Sequence, residues 1–316
     1  MTFKAIGRPL KRIFGSARRD SREFDLESDP LKLSEGAIEA AKAIRGRERP
    51  PAIIIHGVMP RSGTVYAGEL LRLHPDLHAY PNHVWEFPFL GLAGGIRDLQ
   101  GEFLGMYRRN EARMERHDFL PLFGASLIAY LYSFVPDGKR MLLKAPNVRY
   151  LNWFHVVFPF ENLLLLMRDG RDVVSSTIKT WPKRKRGFGE VCKRWNDSAR
   201  VLLDFESRRA KMDGFLSARF EQIVKDPESF AASACDAFDL NAEAYPFDKI
   251  GDLPVRGSST VVPSKARGTG WDPIEKPKDF SPTDRWKDWS PAQKRTFKKI
   301  AGSTLVDAGY CRDLDW

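Results

Sequence analysis

Four short apolar runs, separated by longer stretches of helical periodicity, set the rhythm of the chain. Ala52–Ile55, Met141–Leu143 and Leu163–Met167 are continuous and rich in Ile, Leu and Met. That is the pattern of strands buried on both faces. Phe215–Phe220 reads as a fourth strand. Between the strands the spacing predicts helices over Tyr66–Leu73, 102–116 (charged), Phe119–Phe134 (more apolar), Leu151–Phe158 (buried, ending at Pro159) and Val173–Lys179. A long helix follows over Phe188–Arg209, with Val191, Trp195, Leu202 and Phe205 on one side. Ser229–Phe238 and Pro291–Ala308, the latter capped by Ser290, complete the set. Short strands alternating with helices predict an α/β protein, a three-layer α/β/α sandwich around a central parallel sheet. No internal repeat or linker interrupts residues 51–316, so these read as one domain and 1–50 as a basic N-terminal extension.

Composition narrows the class. A chain of 316 residues with 42% hydrophobic content can bury a large core. Cys192, Cys235 and Cys311 lie far apart, without a CxxC pair or metal-ligand spacing, which predicts a reduced compartment and no structural zinc. No apolar run is long enough to cross a bilayer and no signal-peptide core follows Met1, so the expected location is cytoplasmic. The net charge of +10 is uneven: residues 1–22 hold seven Lys/Arg against one acid, Asp20. The remainder is mildly basic, and a nucleic-acid partner is not expected. Phe3, Ile6, Leu10, Ile13 and Phe14 share one rough helical face among Lys4, Arg8, Lys11 and Arg12. Residues 1–22 thus read either as a basic helix in peripheral contact with an anionic membrane or as a frayed tail; Gly7, Pro9 and Gly15 oppose a long helix. Oligomeric state is left open.

The candidate chemistry begins at residues 52–66. Gly57 and Pro60 end the first strand, and Ser62 and Thr64 offer capping hydroxyls to the following helix. A strand, tight loop and helix aim backbone N–H groups and the positive end of a helix dipole at one point, an anion site. Walker A chemistry needs Lys-Ser/Thr after the second glycine. Here Thr64 follows Gly63, and the only cation, Arg61, precedes it. Alone, the stretch serves equally as a nucleotide site or an ordinary turn. Arg168 stands at the carboxyl end of the Leu163–Met167 strand, where ligands of open α/β sheets bind. Ser176 lies eight residues on, and Arg plus hydroxyl suits a phosphate monoester. Arg168 alone reads as well as an ion-pair partner of Asp169 or Asp172.

Together, Pro60-Arg61-Ser62-Gly63-Thr64 and Arg168-x8-Ser176 resemble the two signature motifs of sulfotransferases that use 3′-phosphoadenosine 5′-phosphosulfate (PAPS). Lys144-Ala145-Pro146 resembles the family's Lys-x-Pro segment. Arg219-Phe220-Glu221-Gln222-Ile223 with Pro227 is similar to its Arg-Tyr-Glu segment. Arg256-Gly257-Ser258-Ser259 and Arg285-Trp286-Lys287 resemble its late cofactor loop, and Gly309-Tyr310 its domain end. The resemblance covers about residues 52–311 and is nearest the branch of tyrosylprotein and bacterial sulfotransferases. It implies a P-loop-like sulfotransferase fold, PAPS as donor and adenosine 3′,5′-bisphosphate (PAP) as product. It implies that Arg61, Ser62, Gly63 and Thr64 hold the 5′-phosphate, with Arg61 near the bridging oxygen. Arg168 and Ser176 would hold the 3′-phosphate, Ser258, Ser259 and Arg285 would close over it, and Phe220 would sit near the adenine. Val65 and Phe220 depart from the family's usual Thr and Tyr, each losing a polar contact but no charge.

The implied reaction is an in-line displacement at sulfur by an acceptor hydroxyl or amine. Lys144 and Arg61 are the candidate cations for charge on the leaving oxygen, and Glu86 or His83 the candidate general base. The weakly charged sulfuryl group lets side-chain cations stand in for a metal ion, so none is expected. Trp85, Phe87, Phe89, Trp181 and Lys183–Arg186 read either as an acceptor site, for a carbohydrate, glycolipid or other small or bacterial metabolite, or as core and solvated charge. Two other readings stand beside this one. A P-loop-type small-molecule kinase would treat Leu163–Met167 and Asp169 as a Walker B strand. A non-catalytic homologue would hold nucleotide without turnover.

Overall fold

A computed structural model describes residues 32–181, 187–209, 212–259, 272–278 and 280–316. Residues 1–22 and Lys183–Arg186, on which the membrane and basic-patch expectations rest, lie outside them. In chain order the structure has helix α1 (Glu35–Arg45), strand β1 (Ile53–Gly57), α2 (Thr64–Arg72), β2 (Leu77–Ala79), α3 (Ala93–Met106), α4 (Phe119–Tyr132) and β3 (Arg140–Ala145). A single turn, α5 (Phe154–Val157), leads to β4 (Asn162–Met167), α6 (Gly170–Thr180), α7 (Phe188–Arg209) and β5 (Phe215–Arg219). Helices α8 (Phe220–Lys225), α9 (Pro227–Ala237) and α10 (Pro291–Asp307) follow.

The five strands form one sheet in the order β2-β3-β1-β4-β5, with every neighbouring pair parallel. Alternate residues feed two separate cores. Ile54, Leu143, Leu163 and Leu165 join the side chains of α3, α4, α7 and α10 on one face. Ile53, Ile55, Leu142, Leu164 and Leu166 join α2 and α9 on the other. This is the three-layer α/β/α arrangement expected of continuous apolar strands.

Several boundaries differ from the sequence pattern, each for a local reason. The charged helix expected over 102–116 begins at Ala93 and ends at Met106. Gly94, Gly95, Gly101 and Gly105 mask it, because glycine is a poor helix former. Gly94 is required there: a Cβ would lie 2.1 Å from the Tyr150 hydroxyl. The buried helix over Leu151–Phe158 is a 3-10 turn, Leu151–Trp153, running into α5. The fourth strand ends at Arg219, and Phe220 opens α8. Helix α6 starts at Gly170, three residues before the apolar run, because Asp169 caps it by accepting from the Arg171 N–H at 2.8 Å.

Two elements had no clear signature. β2 is three residues at the sheet edge. Helix α1 lies within the stretch read as an extension, yet packs on α4. Its Arg45 is buried against Glu161 at 2.7 Å, and Glu161 also accepts the Ala52 N–H at 2.5 Å at the start of β1. His74 is a core residue, its Nε2 at 3.0 Å from the Asn241 carbonyl oxygen. Among the described residues no helix is long and apolar enough to cross a membrane.

Candidate active site

The loop Val58–Gly63 leaves the carboxyl end of β1 and enters α2. Arg61 sits at φ +81 and Gly63 at φ +93. Both are left-handed conformations, which glycine adopts freely and arginine at a cost. A Cβ on Gly63 would lie 2.1 Å from the Phe220 ring, so the loop is pressed onto α8. The expected hydroxyl caps are not formed: Gly63 itself occupies the N-cap position, and no side chain caps α2. Thr64 is the first helical residue. The Ser62 hydroxyl is fully buried without a hydrogen-bond partner among the described residues. The first N–H groups of any α-helix lack an intrahelical acceptor. At α2 they open beside that orphaned hydroxyl.

A second group assembles from four distant segments. Arg61 donates through Nε to the Ser176 Oγ at 3.0 Å and through its other arm to the Gly257 carbonyl. Arg168, from the end of β4, donates to the Arg61 carbonyl at 2.7 Å and to the Pro282 carbonyl. Ser176 donates to the Ser259 Oγ at 3.1 Å, and Arg285 reaches the same oxygen at 2.7 Å. Asp172 holds the late segment by accepting the N–H groups of Asp284 and Arg285 at 3.0 and 2.7 Å. The Phe220 ring lies beneath, 4.3 Å from the Arg168 guanidinium carbon.

Three guanidiniums thus share one pocket. Burial, with Arg168 and Arg285 nearby, lowers the Arg61 pKa to about 10. Burial, with Arg168 nearby, lowers that of Arg285 to about 10 despite Asp172. Arg168 is lowered by burial, opposed by Asp172, Glu221 and Asp169. The Nε atoms of Arg168 and Arg285 are buried without a hydrogen-bond partner among the described residues. Like charges packed this closely, with N–H donors to spare, favour an anion between them.

Lys144 forms a third centre at the end of β3. Its side chain is 2% exposed, and its ammonium lies 3.8 Å from Glu86, which is 46% exposed. The ammonium also sits 4.4 Å from the Trp85 ring centroid and 5.9 Å from that of Tyr80, and it has no hydrogen-bond partner among the described residues. Burial lowers its pKa to about 8, although Glu86 and Glu69 act in the opposite direction. The backbone sets this pairing: the Phe87 N–H donates to the Lys144 carbonyl at 2.8 Å. His83 is exposed, with φ +58, and no polar contact ties its ring to Lys144.

The structure therefore gathers Ser62, Gly63 and Thr64 where the loop enters α2, and Arg61, Arg168, Ser176, Ser259 and Arg285 in one pocket. It places Glu86 beside Lys144. Arg61, expected near the 5′ end with Lys144, instead points at Ser176. Phe220 is wedged between Gly63 and Arg168. Of the aromatic acceptor candidates, Trp85 flanks Lys144, whereas Phe87 is core, stacked on Phe89 and tilted against Phe158. The sequence offered Asp172 only as an ion-pair partner of Arg168; its hold on the Asp284 and Arg285 N–H groups, 112 and 113 residues on, has no local signal. Glu69 and Tyr80 gave no such signal and Arg256 stood only in the late-loop resemblance; Glu69 joins the other two side chains only in three dimensions.

Among solved structures the chain is similar to the sulfotransferase domain of the curacin biosynthetic pathway, with 18% identity and a TM-score of 0.48, covering 81% of this chain and 98% of that one. It is similar to the sulfotransferase domain of the Synechococcus PCC 7002 olefin synthase at 18% identity and TM-score 0.48, covering 82% and 96%. It is also similar to mouse sulfotransferase SULT7A1 complexed with PAP, at 13% identity and TM-score 0.46, covering 89% and 92%. No curated protein sequence matches it. A family model described as the sulfotransferase family matches residues 51–244, a span that runs from β1 through β5 and contains the loop after β1, Lys144 and the Arg168–Ser176 pair. The chain belongs to the sulfotransferase family.

Proposed function

We propose that this protein moves a sulfuryl group from PAPS to a hydroxyl or amine acceptor by in-line displacement without a metal ion. The pocket of Arg61, Arg168 and Arg285 around two serine hydroxyls carries this reading, because it concentrates cationic N–H donors where a single anion can satisfy them. The residues fit a nucleoside with phosphates at both ends. Arg168, Ser176, Ser259 and Arg285, with Ser258 beside them, hold the 3′-phosphate. The N–H groups at the start of α2, with Ser62, Gly63 and Thr64, hold the 5′ end, and Phe220 supports the floor.

PAPS supplies an activated sulfuryl group and a phosphate leaving group. Lys144 is the cation that stabilises charge developing on that leaving group. Arg61 contributes to the same charge when its side chain turns from Ser176. Glu86 takes the acceptor's proton, and its position 3.8 Å from Lys144 puts base and electrostatic catalyst in one place. His83 is the second candidate base. Trp85 beside Glu86 suits stacking against a sugar or other small acceptor, consistent with a carbohydrate, glycolipid or metabolite substrate.

The kinase reading is less well supported. Asp169, which would serve as its metal ligand, is committed to Arg171 through contacts of 2.6–3.1 Å and to the cap of α6. Calorimetry with PAP and with 5′-AMP tests the proposal. PAP is expected to bind at least about tenfold tighter, since a charge-assisted contact contributes roughly 1.5–3 kcal/mol. Equal affinities would overturn it.

A further inference from the structure

One buried carboxylate near the site belongs to none of the roles above. Glu69, on α2, is 3% exposed. Its Oε2 lies 2.8 Å from Arg72 and 3.5 Å from Arg256, the residue that opens the Gly257–Ser259 loop. Its Oε1 accepts from the Tyr80 hydroxyl at 3.5 Å. Tyr80 stacks on Trp85 at 4.5 Å, and the Lys144 ammonium faces both rings.

We propose that Glu69 is a positioning residue for sulfuryl transfer. It joins the late loop, through Arg256, and the Tyr80–Trp85 wall around Lys144 to the helix that carries the phosphate loop. The inference rests on the transfer function proposed above. A carboxylate buried beside an anion site disfavours anion binding by itself. Its two arginine partners offset that charge, and Arg256 can do so only when the late loop is drawn against α2. Donor enclosure and the placement of Lys144 are thereby linked through one side chain.

The charged and titratable groups around Lys144 are Glu86 on its own side of the site, Glu69 on α2, Tyr80 from the segment after β2, and Arg72 and Arg256 on the far side of Glu69. Replacing Glu69 by Gln removes a nearby negative charge, so the ammonium of Lys144 should lose its proton at lower pH. A role confined to packing would not move that titration.

The test uses the full-length protein. PAP affinity is measured by calorimetry, PAPS turnover by release of labelled sulfate to water, and the Lys144 titration by 13C NMR of the lysine ε-carbons. For Glu69→Gln we expect weaker PAP binding by about fivefold, slower sulfate release and a Lys144 titration displaced to lower pH. Glu69→Asp should restore the titration toward that of the wild type. Arg256→Gln should weaken PAP binding, and its effect should not add to that of Glu69→Gln in the double variant. Tyr80→Phe should slow release with little change in PAP affinity. An unchanged Lys144 titration in folded Glu69→Gln would overturn the proposal. So would additive effects of residues 69 and 256. If Glu69→Gln does not fold, Arg256→Gln and Tyr80→Phe decide alone: absence of the split between affinity and rate overturns the proposal. Wild-type protein that neither binds PAP nor releases sulfate would instead overturn the transfer function itself.

Discussion

The Arg168 guanidinium donates to the main-chain carbonyl of Arg61 at 2.7 Å. One side chain from the end of β4 thus offers charge to the pocket and props the left-handed residue of the loop after β1. Arg168→Ala should weaken PAP binding by about tenfold to a hundredfold, the loss of one bidentate charge-assisted contact. Arg168→Lys should recover little, because a single ammonium cannot reach both the Arg61 and Pro282 carbonyls. Since the proposed contact would serve ground and transition states alike, KM for the donor should rise more than kcat falls. A variant losing rate at unchanged donor affinity would place the 3′-phosphate elsewhere.

Gly63 should tolerate no side chain. Its φ of +93 and the Phe220 ring 2.1 Å from a built Cβ combine strain with overlap. Gly63→Ala should destabilise the fold by about 1–3 kcal/mol and weaken PAP binding. Gly63→Ala/Phe220→Ala should relieve the overlap but keep the strain, and so recover part of the binding. Denaturant unfolding and calorimetry read the two effects separately.

Lys144 should set the alkaline limit of activity. The free protein holds this amine at a pKa near 8, below its usual 10.5, because burial disfavours the charged form. The ammonium is the form proposed to stabilise the leaving group. Activity on this limb is therefore expected to be retained below that pKa and lost as pH rises through about 8. A kcat/KM profile against pH, which reports the free enzyme, checks this. Lys144→Ala should remove the limb and lower kcat by about a hundredfold or more, with donor affinity much less changed. Glu86→Gln should lower kcat similarly, and turnover should recover in part with acceptors of lower pKa.

Turnover should survive EDTA. The cations proposed to neutralise the donor are side chains, Arg61, Lys144, Arg168 and Arg285, and Asp169 is paired with Arg171. Activity measured before and after chelation, and again with added Mg²⁺, should agree within a factor of about two. A strict Mg²⁺ requirement would favour the kinase.

The buried pair Arg45–Glu161 should make α1 part of the cooperative fold. Arg45→Ala leaves the Glu161 carboxylate buried, with only the Ala52 N–H retained among these contacts. Loss of one partner of such a pair costs about 3–5 kcal/mol. A single denaturation transition shifted by that amount is expected, whereas an unshifted one would mean that α1 docks without contributing to stability.

Residues next to one another in the chain determined much of this protein by themselves. Continuous apolar strands such as Leu163–Met167 required a sheet covered on both faces, because no residue along them could face water. The order Gly57, Pro60, Gly63 after β1 required a tight loop. Arg168 after β4 had to stand at a strand end. These are local consequences of periodicity and backbone sterics. The tertiary structure alone decided where long side chains point. Arg61 carries its charge to Ser176, 115 residues away, and Lys144 meets Glu86 because β3 and the segment after β2 lie side by side. Glu69 and Tyr80 carry no pattern in the chain, the late-loop motif does not say that Arg256 meets Glu69, and Arg45 finds Glu161 across 116 residues. Such meetings depend on strand order and on the burial that makes a bare charge costly, and neither is a property of any one segment.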